Sequence, residues 1–357
     1  MSSDERIHKA LEIIGEAVSL EPDEFQDDES WKFLGLGDLL AKATAADLNN
    51  ALSDIDIPSD VFTQHPTVSA LKTFLSASSN GRTAHDAEPE DPWEGVPKPK
   101  VPLSIILQGS PSTAKTILFL FPDGSGAGTS YMTLPLAGPE ICMIGLNSPF
   151  LRQADAFTCS IERMARLWLP ELQRIQPHGP YILGGWSAGG YYAFEATKLL
   201  VAAGEKVKQI ILIDSPCRLE FEALPEQVVA ELTRKKLMGA SGDKPAPGWL
   251  VQHFTSTVQS VEKYMPTPLA TRDVPPKVSF VWVREGLVKS VAESGLKVDL
   301  KIKVTRFLLE PRPDLQTVGW ERLLPGGRYS FDYMTGNHFQ ITQPPHVSTQ
   351  SVFREWG

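Results

Sequence analysis

The chain has 357 residues, of which 42% are hydrophobic, and it carries a formal net charge of −9. This length allows one large domain with a smaller one beside it, and the hydrophobic content is sufficient for a packed core. The negative charge argues against nucleic acid and anionic membranes as partners, because both attract basic surfaces.

The first residues of the chain and its cysteines indicate the cellular compartment in which the protein is expected to reside. Residues 1–6 do not resemble a signal peptide, and no run of 18 apolar residues exists. Cys142, Cys159 and Cys217 are too few and too scattered for a disulfide framework or a metal site. We therefore predict a soluble cytoplasmic protein with inert thiols and no bound metal.

Residues 1–76 have the pattern of a small helical bundle. Apolar residues recur at helical spacing over 7–18, and a second helix is predicted to run from about 38 to 52. The last helix is predicted over 67–75, where its first residue is a threonine that can cap it. We predict a four-helix bundle, followed over 77–101 by a polar, proline-rich linker.

From residue 102 onward, apolar strands alternate with helices. Strands are predicted over 104–108, 116–121, 140–146, 181–183, 209–214 and 277–283. Such strands form a largely parallel sheet that is covered on both faces, so the fold class is α/β, with the α/β-hydrolase arrangement over 102–357. The mixed helices at about 218–273 are predicted to form a lid whose apolar side chains line a pocket for an alkyl tail.

Gly185-Trp186-Ser187-Ala188-Gly189 lies between a predicted strand and a predicted helix. A GxSxG sequence in this context is a nucleophile elbow, a sharp turn in which side chains two residues before and two residues after the serine would collide with the strand and the helix. The sequence therefore predicts Ser187 as the nucleophile. The alternative is a glycine-rich turn in which the serine has no role.

The acid and the base of a hydrolase triad follow the serine in chain order. Asp214 ends an apolar strand and is the predicted acid, although it would also suit a turn-capping role. Two histidines near the end of the chain are candidates for the base. His338, in a tight turn before a predicted terminal helix, is preferred to His346, and the other five histidines of the chain are assigned to the surface.

An oxyanion hole requires two backbone N–H groups. One is predicted to be that of Ala188, directly after the nucleophile, and the other to lie in the glycine-rich loop over 121–128. Ser125 is the preferred second donor and Gly124 the next. The same loop does not suit a phosphate cradle, because no GK[ST] follows it.

Together these motifs resemble the thioesterase domain that ends fungal non-reducing polyketide synthases. The matching segments are LFLFPDGSG from 118, GGWSAGG from 184, LIDSP from 212 and NHF from 337. The bundle resembles an acyl-carrier domain of the same synthases through LGLGDLL from 34, DIPSDVF from 56 and HPTV from 65. An unrelated helical bundle is the alternative for this second resemblance.

In such carrier domains a serine at the start of the second helix bears the phosphopantetheine arm. Asp38 stands at that position here, and shifting the register by one residue brings Leu39 instead. We therefore predict a degenerate carrier position at Asp38, a pseudo-carrier domain, and a protein that binds no cofactor and carries no phosphopantetheine itself.

The resemblance also implies a function. Because the chain begins with its own methionine, it is expected to be a free-standing didomain that acts in trans on a partner non-reducing synthase, with a highly reducing synthase upstream. The expected reaction is hydrolytic release of a 2,4-dihydroxy-6-alkylbenzoic acid from the phosphopantetheine of the partner's carrier domain. The alternatives are cyclising release of the Claisen or lactone type, a docking adaptor with secondary esterase activity, and a generic lipase or esterase.

Overall fold

The computed structural model of the chain describes residues 3–52, 55, 57–77, 91–238, 246–343 and 346. The chain folds as two compact units, Met1–Pro89 and Glu90–Gly357. Three predicted features lie wholly or partly outside the described residues: most of the linker, the middle of the lid and the terminal helix after His338.

The first unit is helical. Its helices are α1 (Ser3–Val18), α2 (Asp38–Ala51), α3 (Val61–Gln64) and α4 (Val68–Ala77). Trp31 is at the centre of the core, with the rings of Phe25 and Phe62 at 6.1 and 5.3 Å, and its indole N–H donates to the His65 carbonyl at 2.8 Å. The helical, carrier-like bundle predicted for this region is confirmed.

The second unit is built on a seven-stranded sheet within the described residues. Its strands are β1 (Ser104–Gln108), β2 (Thr116–Phe121), β3 (Ile141–Leu146), β4 (Tyr181–Trp186), β5 (Val207–Ile213), β6 (Lys277–Val283) and β7 (Arg328–Met334). Their order is β1-β3-β2-β4-β5-β6-β7. Only the edge strand β1 is antiparallel to its neighbour, which confirms the predicted α/β-hydrolase arrangement.

Helices cover the faces of this sheet and its carboxyl edge. They are α5 (Ile161–Ile175), α6 (Ala188–Ala202), α7 (Glu226–Arg234), α8 (Gly248–Lys263), α9 (Val291–Ser294), α10 (Lys303–Leu309) and α11 (Trp320–Leu323). Every residue of β3 and β4 is buried, so these strands are apolar throughout rather than alternating. Because β4 pairs with both β2 and β5, the residue that follows it lies at the middle of the carboxyl edge.

Residues 91–101 of the predicted linker lie in the second unit. Trp93 packs against the core of this unit, and the Arg163 guanidinium donates to the Pro92 carbonyl at 3.0 Å. The sequence analysis did not predict β7 or the short helices α9 to α11. No helix of the described residues is both long and apolar enough to span a bilayer.

Candidate active site

The elbow after β4 holds Ser187 in a conformation that few non-glycine residues adopt. Its φ and ψ are 57° and −122°, so its side chain stands at the apex of the turn into α6. A Cβ on Gly185 would lie 2.1 Å from the Gly189 carbonyl oxygen, and one on Gly189 would lie 2.5 Å from that of Phe121. These close approaches are the physical reason for the two glycines of GxSxG.

Tyr131 connects the elbow to β2. Its buried hydroxyl donates to the Phe121 carbonyl at 2.5 Å and accepts the Trp186 N–H at 2.8 Å. Burial raises the pKa of Tyr131, so the phenol remains a donor at neutral pH. Sequence reasoning did not single out this residue, because nothing local marks a tyrosine that bridges two strands.

The structure brings the three predicted catalytic side chains together. His338 Nε2 lies 3.1 Å from Ser187 Oγ, and His338 Nδ1 lies 2.7 Å from Asp214 Oδ2. The imidazole is buried, with the Trp186 and Phe339 rings at 5.6 and 5.3 Å. The rival base His346 instead lies 3.1 Å from the Thr335 hydroxyl.

Asp214 follows β5 at a positive φ of 43° and is fully buried. Its Oδ1 accepts the Val283 N–H at 3.2 Å, and its Oδ2 accepts from both His338 and the Arg312 guanidinium, the latter at 3.0 Å. Burial alone would raise the pKa of this carboxyl, but Arg312 and His338 together hold that pKa below its usual value. The acid therefore stays ionised.

Arg312 was missed by the sequence analysis. Its side chain is only 5% exposed, and its guanidinium lies 3.8 Å over the Phe307 ring. It is 98 residues from Asp214, in an irregular segment after α10. No local pattern in the sequence identifies such a partner.

The predicted oxyanion donors differ in their surroundings. Ala188 is the first residue of α6, so its N–H has no acceptor within the helix. The N–H of Ser125 is directed at Asp123 Oδ2, at 3.3 Å, and Ser125 does not line the cavity at Ser187. Gly124, the second choice, does line that cavity.

His253 holds the loop that contains Gly124. Its Nδ1 lies 2.9 Å from the Gly124 carbonyl oxygen and its Nε2 lies 2.8 Å from the Ser148 hydroxyl. Burial lowers the pKa of His253 to about 4, so the ring is neutral and Nδ1–H donates to the carbonyl. The surface position predicted for His253 is wrong: it is 1% exposed, because α8 turns this residue, together with Thr257, towards the loop.

An apolar cavity opens at Ser187 and His338. Its lining is mostly apolar, as is typical of sites that bind small organic molecules. Leu224, Phe254 and Val258 of the predicted lid line it. So do Val304, Phe307 and Leu308 of α10, which lie outside the predicted lid.

Comparisons with known proteins agree with this geometry. Residues 116–354 match the family model described as "Thioesterase domain", and residues 8–75 match the one described as "Phosphopantetheine attachment site". The chain is 33% identical over 377 residues to the non-reducing polyketide synthase terA of Aspergillus terreus, covering 98% of this chain and 18% of terA. It is 33% identical over 368 residues to the bikaverin polyketide synthase bik1 of Gibberella fujikuroi, covering 96% and 18%.

The chain thus spans less than a fifth of the length of these curated relatives. Among solved structures, the NocB thioesterase domain in covalent complex with a fluorophosphonate nocardicin G analogue superimposes with a TM-score of 0.52. That similarity covers 72% of this chain and 100% of the NocB chain at 21% identity. At this identity it establishes a shared fold.

The match over 8–75 makes one prediction wrong, namely that the chain has no phosphopantetheine of its own. The matched family is that of the phosphopantetheine attachment site, and the match spans nearly the whole helical bundle. The expected absence depended on a single residue. That residue, Asp38, is the first of α2, and its side chain is exposed beside those of Leu39 and Leu40.

Proposed function

Because the chain belongs to the thioesterase domain family, we propose that its second unit releases an acyl group from a thioester through a serine nucleophile. The observation that carries the proposal is the hydrogen-bonded series from Ser187 through His338 to Asp214. A hydroxyl, an imidazole and a buried carboxylate in this series are the parts of a nucleophilic triad.

In the proposed reaction, Ser187 Oγ attacks the thioester carbonyl while His338 Nε2 takes its proton. Asp214 keeps the imidazole oriented and stabilises its charged form. The carbonyl oxygen becomes an oxyanion that accepts from the N–H groups of Ala188 and Gly124.

The intermediate then collapses. The carbon–sulfur bond breaks, the thiol leaves with the proton from His338, and an acyl-serine remains. Water activated by the same imidazole attacks the acyl carbon, the serine ester breaks, and the proton returns to Ser187. The products are a free thiol and a carboxylic acid.

We propose an aromatic polyketide of the 2,4-dihydroxy-6-alkylbenzoic acid type as the acyl group, carried on phosphopantetheine of a non-reducing synthase's carrier domain. The relatives are named as non-reducing polyketide synthases, and the apolar cavity at Ser187 suits an alkyl substituent. The first unit, with its exposed Leu39 and Leu40, would dock the protein to a synthase. A partner synthase on a separate chain, fed by a highly reducing synthase, is part of this proposal.

Turnover of an N-acetylcysteamine thioester of such an acid tests the nucleophile and the base. Ser187→Ala and His338→Ala should each lower kcat by about 10³-fold or more with the fold intact by circular dichroism. His346→Ala is the matched control and should keep wild-type turnover. Undiminished release by Ser187→Ala would refute the proposal.

The same assay, run with a thioester whose alkyl chain carries a ketone or a hydroxyl group, separates hydrolysis from cyclising release. In water enriched in oxygen-18, hydrolysis places the label in the carboxylic acid, whereas attack by a carbon or oxygen atom of the acyl chain gives an unlabelled ring. We expect the labelled acid. An unlabelled lactone or Claisen product would leave the triad in place and change the class of the reaction.

A further inference from the structure

A second cavity lies beside the catalytic groups. Its lining includes Asp123, Ser125, Ser130, Trp186, Phe254 and Phe339. Two of these, Phe254 and Phe339, also line the apolar cavity. The two cavities are therefore neighbours that share two phenylalanine side chains in their walls.

Residues that line the second cavity are also adjacent in sequence to the catalytic groups. Three of its lining residues are immediate neighbours of groups in the proposed mechanism: Asp123 precedes Gly124, Trp186 precedes Ser187, and Phe339 follows His338. An acyl group bound to Ser187 thus has an apolar cavity and this second cavity within its surroundings.

Two residues that line the second cavity have hydrogen-bonding capacity that the described residues do not use. The Trp186 indole N–H is buried and has no hydrogen-bond partner among them. Asp123 Oδ1 accepts from the hydroxyls of Ser125 and Ser130 at 2.7 and 2.9 Å, whereas Oδ2 has only the Ser125 N–H, at 3.3 Å. Buried polar groups without a partner are uncommon and costly, so a ligand that bonds to them gains affinity.

We propose that this second cavity binds the hydroxyl groups of the aromatic acyl group. A phenolic hydroxyl can accept from the Trp186 N–H and can donate to an Asp123 oxygen. The inference rests on the proposed function and deepens it, because it assigns a place to the polar part of the substrate.

The chemistry of the proposed substrate supports this division. In a 2,4-dihydroxy-6-alkylbenzoyl group, one ring position next to the acyl carbon bears a hydroxyl and the other bears the alkyl chain. The two substituents point to opposite sides of the carbon that Ser187 attacks. The apolar cavity suits the alkyl chain, and the cavity at Trp186 and Asp123 suits the hydroxyl.

The test compares kcat/KM for two N-acetylcysteamine thioesters, one of the dihydroxy-alkylbenzoic acid and one of the same acid without hydroxyls. The wild type should prefer the hydroxylated thioester, and Trp186→Phe should reduce that preference about tenfold. Asp123→Asn is a second variant, for which a reduction in the same direction is expected. Thr305→Val is the matched control: it also removes a buried polar group that has no partner among the described residues, but Thr305 lines neither cavity, and the preference should stay at its wild-type value.

Calorimetric titration with the two free acids gives the same comparison without turnover. Weaker binding of the hydroxylated acid to Trp186→Phe, with the other acid unaffected, would support the inference. An unchanged preference for the hydroxylated thioester in both variants would overturn the inference. In that case, loss of turnover in Ser187→Ala would still support the proposed role of the triad. A second result would also overturn the inference. If the variants lose activity only on pantetheine thioesters, and to the same extent for both acids, the second cavity binds the pantetheine arm and not the hydroxyl groups.

Discussion

At the scale of single residues, two side chains support the triad from outside it. Arg312 shares Asp214 Oδ2 with His338, and His253 holds the Gly124 carbonyl. Arg312 stabilises the charge of the Asp214 carboxylate, and His253 holds the loop that carries a proposed oxyanion donor. Both act through another residue, so we regard them as positioning residues.

Removing the Arg312 guanidinium should make the Asp214 carboxylate easier to protonate. Arg312 lowers the pKa of Asp214, so the stability and activity that depend on the ionised carboxylate exist above its unfolded pKa of about 3.9 and are lost as the pH falls through the folded value. In Arg312→Gln that folded pKa is higher, and the acid limb of the pH–rate profile should move to higher pH.

The matched control for this change is Arg284→Gln. Arg284 forms an ion pair with Asp314 in which both side chains are about half exposed. The pH–rate profile should stay in place for this variant. An acid limb that is the same in Arg312→Gln and in the wild type would contradict the role assigned to Arg312.

The hydrogen bond from His253 to Gly124 should matter for the rate of the chemical step. His253→Ala removes the donor and should lower kcat about 10- to 100-fold with little change in KM, because the oxyanion forms only in the transition state. His253→Asn keeps an N–H at the position of Nδ1 and should recover most of the loss. Equal defects in the two variants would indicate a packing role alone, and exposed His178→Ala is the control.

At the scale of the element, the elbow depends on backbone contacts more than on side chains. β4 and α6 approach each other so closely that a methyl group at position 185 would enter the Gly189 backbone. Ser187 then carries a positive φ that the surrounding strands maintain. The geometry of the nucleophile is therefore a property of the strand–turn–helix unit.

Gly185→Ala should destabilise the protein by about 3 kcal/mol or more, because the contacting atoms belong to the backbone and cannot move aside. Gly248→Ala is the matched control: it is the first residue of α8, where an added Cβ meets nothing within 4 Å. That variant should be neutral or slightly more stable. Urea unfolding of the two variants measures the difference, and equal midpoints would contradict this account of the elbow.

At the scale of the whole molecule, each unit has a hydrophobic core of its own. Trp31, Leu48 and Leu71 belong to the core of the first unit, and the sheet provides that of the second. The proposed chemistry uses residues of the second unit only. The proposed contribution of the first unit is to bring the substrate-bearing synthase close.

Deleting residues 1–89 should therefore separate two activities. We expect kcat/KM for a soluble thioester to stay within about twofold of the wild type, and release from a separately expressed synthase whose own thioesterase is inactive to fall by about 10²-fold. The readout is product mass from both assays. A loss in both would mean that the second unit needs the first to fold, and no loss in either would remove the docking role.

The sequence by itself determined the features that depend on neighbours along the chain: the alternation of strands and helices, the GxSxG turn, and the order of Ser187, Asp214 and His338. Only the tertiary structure decided which distant residues support them. Arg312 reaches Asp214 across 98 residues and His253 reaches Gly124 across 129. Trp186 and Asp123 line one cavity because β2 and β4 end side by side. Local patterns record backbone preferences and burial, whereas such contacts arise when the sheet assembles, so no short stretch of sequence contains them.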